Sequence, residues 1–229
     1  MMMLCIDAGH GGGDSGCTNG QYLEKDFTLL FSRMLREKLN KTASNIEIIL
    51  TRDSDKFVTL DNRCKIANNN NCQLFVSIHI NAGSTTASGV ETLVYTMDGD
   101  TGRLANNIQN AIIDATSAVN RGVKIRQDLQ VLNSTKMPAV LIECGFIVAD
   151  LSKLLDKTYQ NKLIGAIANG ILKTVGGVSL VEKEQKSSLE ILADDKIITN
   201  IEYWENAQKC VKYLTELLDN MANFVLESK

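Results

Sequence analysis

Four short apolar runs, MLCID (residues 3–7), IEIIL (46–50), QLFVSIHI (73–80) and AVLIEC (139–144), set the terms for what this chain can fold into. Each has the length of a strand, and near-continuous apolar character is what a strand covered on both faces requires. VETLVY (90–95) alternates as a strand should, and DLQVLN (128–133) reads as a further short one. Between these runs the spacing changes to that of helices. Phe27, Leu30, Phe31, Met34, Leu35 and Leu39 recur at steps of three and four, as do Leu104, Ile108, Ala111, Ile112 and Ala115, then Leu163, Ile164, Ile167 and Ile171; residues 59–71 read as one more helix. Strands alternating with helices predict an α/β fold: a mixed, mostly parallel sheet with helices on both faces.

This pattern stops near residue 175. GGVSLVEKEQKS (176–187) has no period and reads as a linker. Beyond it, Thr199 and Glu202 have capping-box spacing, and Trp204, Ala207, Val211, Leu214, Leu218, Met221 and Val225 form a heptad seam widened by Tyr203, Cys210, Leu217 and Phe224. The expected organisation is an α/β domain over 1–175, a linker over 176–187 and a small C-terminal helical module over 188–229. The seam makes a homodimer through residues 200–225 one reading of that module, beside targeting of the first domain to its substrate and packing onto that domain. From residue 180 onward there are ten acids and six bases, which leaves 17 acids and 18 bases for residues 1–179. The first part is therefore about neutral and the tail acidic.

That balance excludes a basic nucleic-acid stripe. No apolar run is long enough to span a bilayer, and the start MMMLCIDAGH has neither the basic opening nor the apolar stretch of a secretory signal, so synthesis in the cytoplasm is expected. Six scattered cysteines without a CxxC pair read as buried, reduced thiols.

Imidazole chemistry has only two candidates, His10 and His79. In an open α/β sheet, ligands collect at the carboxyl ends of strands. His10 follows the first strand, Glu24 opens the first helix, and His79 and Glu143 lie near the ends of later strands. Two imidazoles and a carboxylate make the ligand set of a catalytic zinc, which keeps a fourth position open, and a second carboxylate can then move protons. Each residue also has a plainer reading. A strand histidine is commonly a satisfied core residue, and an acid in the first helical turn is explained by the helix dipole. Glu143 in an apolar strand is harder to explain away: burying an unpaired carboxylate costs several kcal/mol in rough terms, so a partner for it is predicted. GHGGGD departs from dinucleotide-loop spacing, and Cys17 lacks a second cysteine at structural-zinc spacing.

The segments IDAGHGGGDSG, EKDFTLLFSRMLREKL, TRDSD, LDNRCKIANNNNCQLFVSIHINAG, GVETLVY and LQVLNSTKMPAVLIECGFIVADLSKLL, in that order from about residue 3 to 174, resemble zinc-dependent N-acetylmuramoyl-L-alanine amidases of the third sequence type. By that resemblance one Zn²⁺ is held by His10, Glu24 and His79, Glu143 is the catalytic acid/base, and Arg63 and Asn81 stand where substrate contacts, capping or surface ion pairs are expected. The substrate would be peptidoglycan, cut between muramic acid and L-alanine. The absence of a long insertion between Ala118 and Asp128 implies an enzyme without a self-blocking helix. Release through a phage holin pore, or lysis of a sporulating mother cell, would bring the protein to the wall. The competing readings are a zinc peptidase acting within the stem peptide and an inactive wall-binding module.

Overall fold

The computed structural model describes residues 2–43 and 45–176, with five isolated positions further on: Leu192, Ile197, Trp204, Leu218 and Met221. The chain divides into two compact units, Met1–Leu180 and Val181–Lys229. In the second, Leu192 and Leu218 are buried. The expected linker, the heptad seam and the homodimer contact through 200–225 otherwise lie outside the described residues.

The first unit runs β1 (Met2–Ala8), β2 (Thr18–Asn19), β3 (Tyr22–Leu23), α1 (Glu24–Thr42), β4 (Ile46–Leu50), α2 (Leu60–Asn69), β5 (Leu74–Asn81) and β6 (Val90–Val94). It continues with α3 (Gly99–Thr116), β7 (Asn120–Ile125), α4 (Gln130–Asn133), β8 (Ala139–Phe146), α5 (Leu151–Leu155) and α6 (Lys157–Thr174). Six strands form one sheet in the order β4-β1-β5-β8-β6-β7; only the β6–β8 pair is antiparallel. The mixed, mostly parallel sheet is as expected. Local chemistry fixes several element starts: the Thr59 hydroxyl accepts from the Asn62 N–H at α2, and the Asp156 carboxylate accepts from the Tyr159 N–H at α6.

Side chains alternate across a strand, so parity assigns each residue to a face. Leu4, Ile6, Val76, Ile78, Val140 and Ile142 share one face and pack against α1, α3 and α6. Their neighbours Cys5, Phe75, Leu93 and Leu141 point the other way, against α2 and α4. Asp7, Ser77, His79, Glu91 and Glu143 have this second parity. The described cysteines Cys5, Cys17, Cys64, Cys72 and Cys144 are free thiols, and all but Cys17 are buried.

The short pair β2–β3 and the helix α5 were not expected, and two further elements differ from expectation beside the main sheet. DLQVLN is not a strand; its last four residues form the single turn α4. β8 already has β5 on one side and β6 on the other, leaving no edge for it, and adjacent Val131 and Leu132 instead bury against Cys64 and Ala67 of α2. The edge beside β6 is filled by β7, NRGVKI, which the apolar pattern did not mark because an edge strand here buries so little: four of its six residues are exposed.

Candidate metal centre

The turn after β1 carries the first ligand candidate. His10 has φ +59°, a left-handed conformation that costs a non-glycine residue roughly 1 kcal/mol or more. Two buried arginines hold the turn by its carbonyl oxygens, which would otherwise be unsatisfied in the interior. Arg52 donates from Nε to Ala8 O (2.9 Å) and from Nη2 to Gly9 O (2.8 Å), while Arg63 donates to Ala8 O and, from Nη2, to His10 O (2.7 Å). Arg63 Nη1 also pairs with Asp7 Oδ1 at 2.7 Å, both residues being buried. Asp7 further accepts from the Thr51 and Ser77 hydroxyls. Burial pushes the Asp7 carboxyl up, but the Arg63 charge and these bonds outweigh it and hold it below the usual range.

Glu24, the first residue of α1, is buried and lies between the two imidazoles. Its Oε2 is 3.2 Å from His10 Nε2 and its Oε1 is 2.9 Å from His79 Nδ1. The N–H groups of Cys17 and Ile80 donate to the same two oxygens. Burial raises the Glu24 carboxyl, yet hydrogen bonds from His10 and His79 dominate and leave it strongly lowered. His10 is drawn down by burial and driven up by Glu24 and Asp14, ending at about 9. Asp14 accepts at its Oδ2 from His10 Nδ1, 2.8 Å away, which orients the ring in the way a ligand histidine needs. Glycine is required at two places in this cluster: a Cβ on Gly9 would lie 2.3 Å from His79 Cε1, and one on Gly16, at φ +65°, would lie 2.5 Å from Glu24 Oε2.

His10, Glu24 and His79 each offer one ligand atom, and these atoms lie within 4.8 Å of one another. Two imidazoles and one carboxylate match the donor chemistry of a catalytic zinc. Cys17 is not arranged as a further ligand. Its thiol donates to Ile80 O, and burial, with Glu24 nearby, raises its pKa so that it stays protonated.

Glu143 of β8 is paired in register with His79 of β5 on one side and Glu91 of β6 on the other. The row His79–Glu143–Glu91 thus crosses three adjacent strands on one face. The partner predicted for Glu143 is missing: its Oε2 is shut away from solvent without a hydrogen bond. Desolvation raises its pKa, His79 lowers it, and Glu24 and Glu91 raise it, leaving it at about 7. The cost of a buried charge is relieved by protonation instead of by pairing.

The other two expected site residues also lie close to this cluster. Arg63 is no surface group: its donors go to Asp7 and to the carbonyls of Val58, Ala8 and His10, so it positions the turn. Asn81 ends β5 and donates from Nδ2 to Glu91 Oε1 at 3.2 Å. Sequence reasoning missed Arg52, Asp14 and Glu91. Only Asp14, four residues after His10 in a glycine-rich turn, left a local trace. Beside the cluster a cavity of about 310 Å³ is lined by His10, His79, Arg63, Phe57, Leu60 and Leu129.

The family model described as N-acetylmuramoyl-L-alanine amidase matches residues 4–173. The sporulation-specific N-acetylmuramoyl-L-alanine amidase of Bacillus subtilis (strain 168) is 36% identical over 174 residues, covering 75% of this chain and 67% of that protein. The endolysin of Bacillus phage SPP1 is 37% identical over 199 residues, covering 81% of this chain and 72% of its own length. Among solved structures, the N-acetylmuramoyl-L-alanine amidase of Clostridium difficile 630 superposes with a TM-score of 0.73 at 33% identity, covering 76% of this chain and 97% of that one. The match spans all six strands of the sheet and both imidazoles, and the chain belongs to the N-acetylmuramoyl-L-alanine amidase family.

Proposed function

We propose that this chain is a zinc-dependent hydrolase of peptidoglycan that cuts the amide between the lactyl group of muramic acid and L-alanine. The observation that carries the reading is the juxtaposition of Glu143, with its unpartnered buried oxygen, and the His10–Glu24–His79 donor set one strand away. The names of the relatives supply the substrate class.

His10, Glu24 and His79 would hold the ion, with Asp14 fixing the His10 ring. Bound zinc supplies Lewis acidity, which polarises a carbonyl and makes water easier to deprotonate. Glu143, poised at about 7, is matched to proton transfer near neutral pH: as carboxylate it takes a proton from the attacking water. As carboxylic acid it returns that proton to the nitrogen of L-alanine while the amide bond breaks. The half-buried strand position keeps bulk water from competing for the proton. Access to the wall by release from, or lysis of, the producing cell belongs to the same proposal, supported by the endolysin and sporulation names among the relatives.

Digestion of purified peptidoglycan followed by mass spectrometry tests the reading. Intact stem peptides with a free L-alanine amino terminus are expected, and a chelator or Glu143→Ala should abolish their release. Cleavage between amino acids would make the enzyme a stem-peptidase, and no cleavage at all would make it a binding module; either result sinks the amidase reading.

A further inference from the structure

Beyond Glu143 the open part of the same sheet face ends in a cluster that the hydrolytic chemistry does not use. Glu91 is buried, and its Oε2 accepts from two cations on the edge strand, Arg121 Nε at 2.8 Å and Lys124 Nζ. Asn81 occupies its other oxygen. One carboxylate therefore faces two bases, which leaves a surplus positive charge at the edge of the site. The Arg121 side chain is about a third exposed, at 34%, and its guanidinium carbon lies 4.8 Å from the centre of the Phe146 ring. Held at Nε by Glu91 and over an aromatic ring, the fork is pre-oriented. Among the described residues its two terminal nitrogens donate to nothing.

Placement matters as much as charge. Neighbouring strands are about 4.8 Å apart, so β7 runs roughly 10 Å from β8 and Glu143. An arginine side chain reaching back over β6 covers much of that gap. A carboxylate carried one residue beyond a scissile amide lies about one Cα–Cα step, ~4 Å, further along the chain plus its own short reach. We infer that Arg121 is a specificity-determining residue, whose free fork receives the carboxylate of the acidic residue that follows L-alanine in the stem peptide. This rests on the amidase reading and names the part of the substrate that the site distinguishes. Planar bidentate pairing suits a carboxylate and is lost with its neutral amide.

Binding of product-like peptides tests it without turnover. The zinc-loaded full chain is titrated calorimetrically with L-Ala–γ-D-Glu–L-Lys and with the same peptide carrying the α-amide. The wild type should bind the carboxylate form about tenfold more tightly, the order set by one charge-assisted hydrogen-bonded pair at a partly exposed position. Arg121→Gln should bring that ratio close to one while still binding the amide form. A wild-type ratio of one, no binding of either peptide, an unchanged ratio in the variant, or equal loss of both peptides in the variant would each overturn the assignment. Peptide release from peptidoglycan, followed in parallel, separates the two claims: release without discrimination sinks only the role of Arg121, whereas absence of release sinks the amidase reading.

Discussion

Glu143 differs from the other acids around it by what it lacks. Glu24 has four donors and Asp7 has an arginine and two hydroxyls, and both are held ionised; Glu143 keeps an oxygen without any donor and rises to about 7. Glu143→Gln preserves shape and removes the proton shuttle, so peptide release should fall by about 10²–10⁴-fold while zinc content stays at the wild-type level. Loss of zinc together with activity would reassign Glu143 to the ligand set. Asp7 makes the opposite prediction. Its carboxyl is lowered in the folded protein, so it contributes stability at pH values above the unfolded carboxyl's pKa, about 4, and that contribution is lost as pH falls through the lower folded value. Asp7→Asn leaves Arg63 buried without its counter-charge and should cost about 3–5 kcal/mol near neutral pH. The gap between the two proteins should narrow below about pH 4 as the wild-type carboxyl protonates. Urea unfolding across pH checks this, and a gap independent of pH would show that the ion pair is not what the aspartate contributes.

At the scale of elements, the strands were readable because burial on both faces writes a continuous apolar run, and His79 and Glu143 stood out as polar interruptions of such runs. Parity then brings them together without any further signal. β7 and α4 were not readable, since an exposed edge strand and a single helical turn impose almost no periodicity. The role of Arg63 was hidden for another reason: its partner Asp7 is 56 residues away, and nothing local distinguishes an arginine that braces a turn from one that meets a ligand. The same holds for Arg52 and Glu91, whose pairings cross elements. The turn between β1 and β2 carries its own prediction. Gly9→Ala places a methyl within 2.3–2.8 Å of three atoms of the His79 ring, which has to swing away. Zinc affinity should drop about 10- to 100-fold, on the scale seen when ligand-orienting groups are lost, with little change in circular dichroism. Competition against a chromophoric chelator measures it, and wild-type affinity in the variant would mean that the ring is not held where the turn needs it.

The whole molecule raises the question of whether the metal holds the fold together or only equips it for chemistry. A structural zinc site collapses when the ion is withdrawn because its ligands have nothing else to bond. Here the ligand candidates sit at one end of a sheet that carries an apolar layer on each face, and it is these layers that close the fold. A chelator should therefore abolish peptide release and leave a folded protein. Binding to the folded state alone adds about 4 kcal/mol when free zinc is about 1,000 times its dissociation constant. For a unit of this size each kcal/mol moves the midpoint by roughly 2–4 °C, so the zinc-loaded protein should melt about 8–16 °C above the chelated one. Glu24→Gln or His79→Ala should remove most of that increment while keeping a cooperative transition. If chelation instead produced an unfolded chain, the two apolar layers would not be enough to hold the fold, and the ion would have to be counted among its supports.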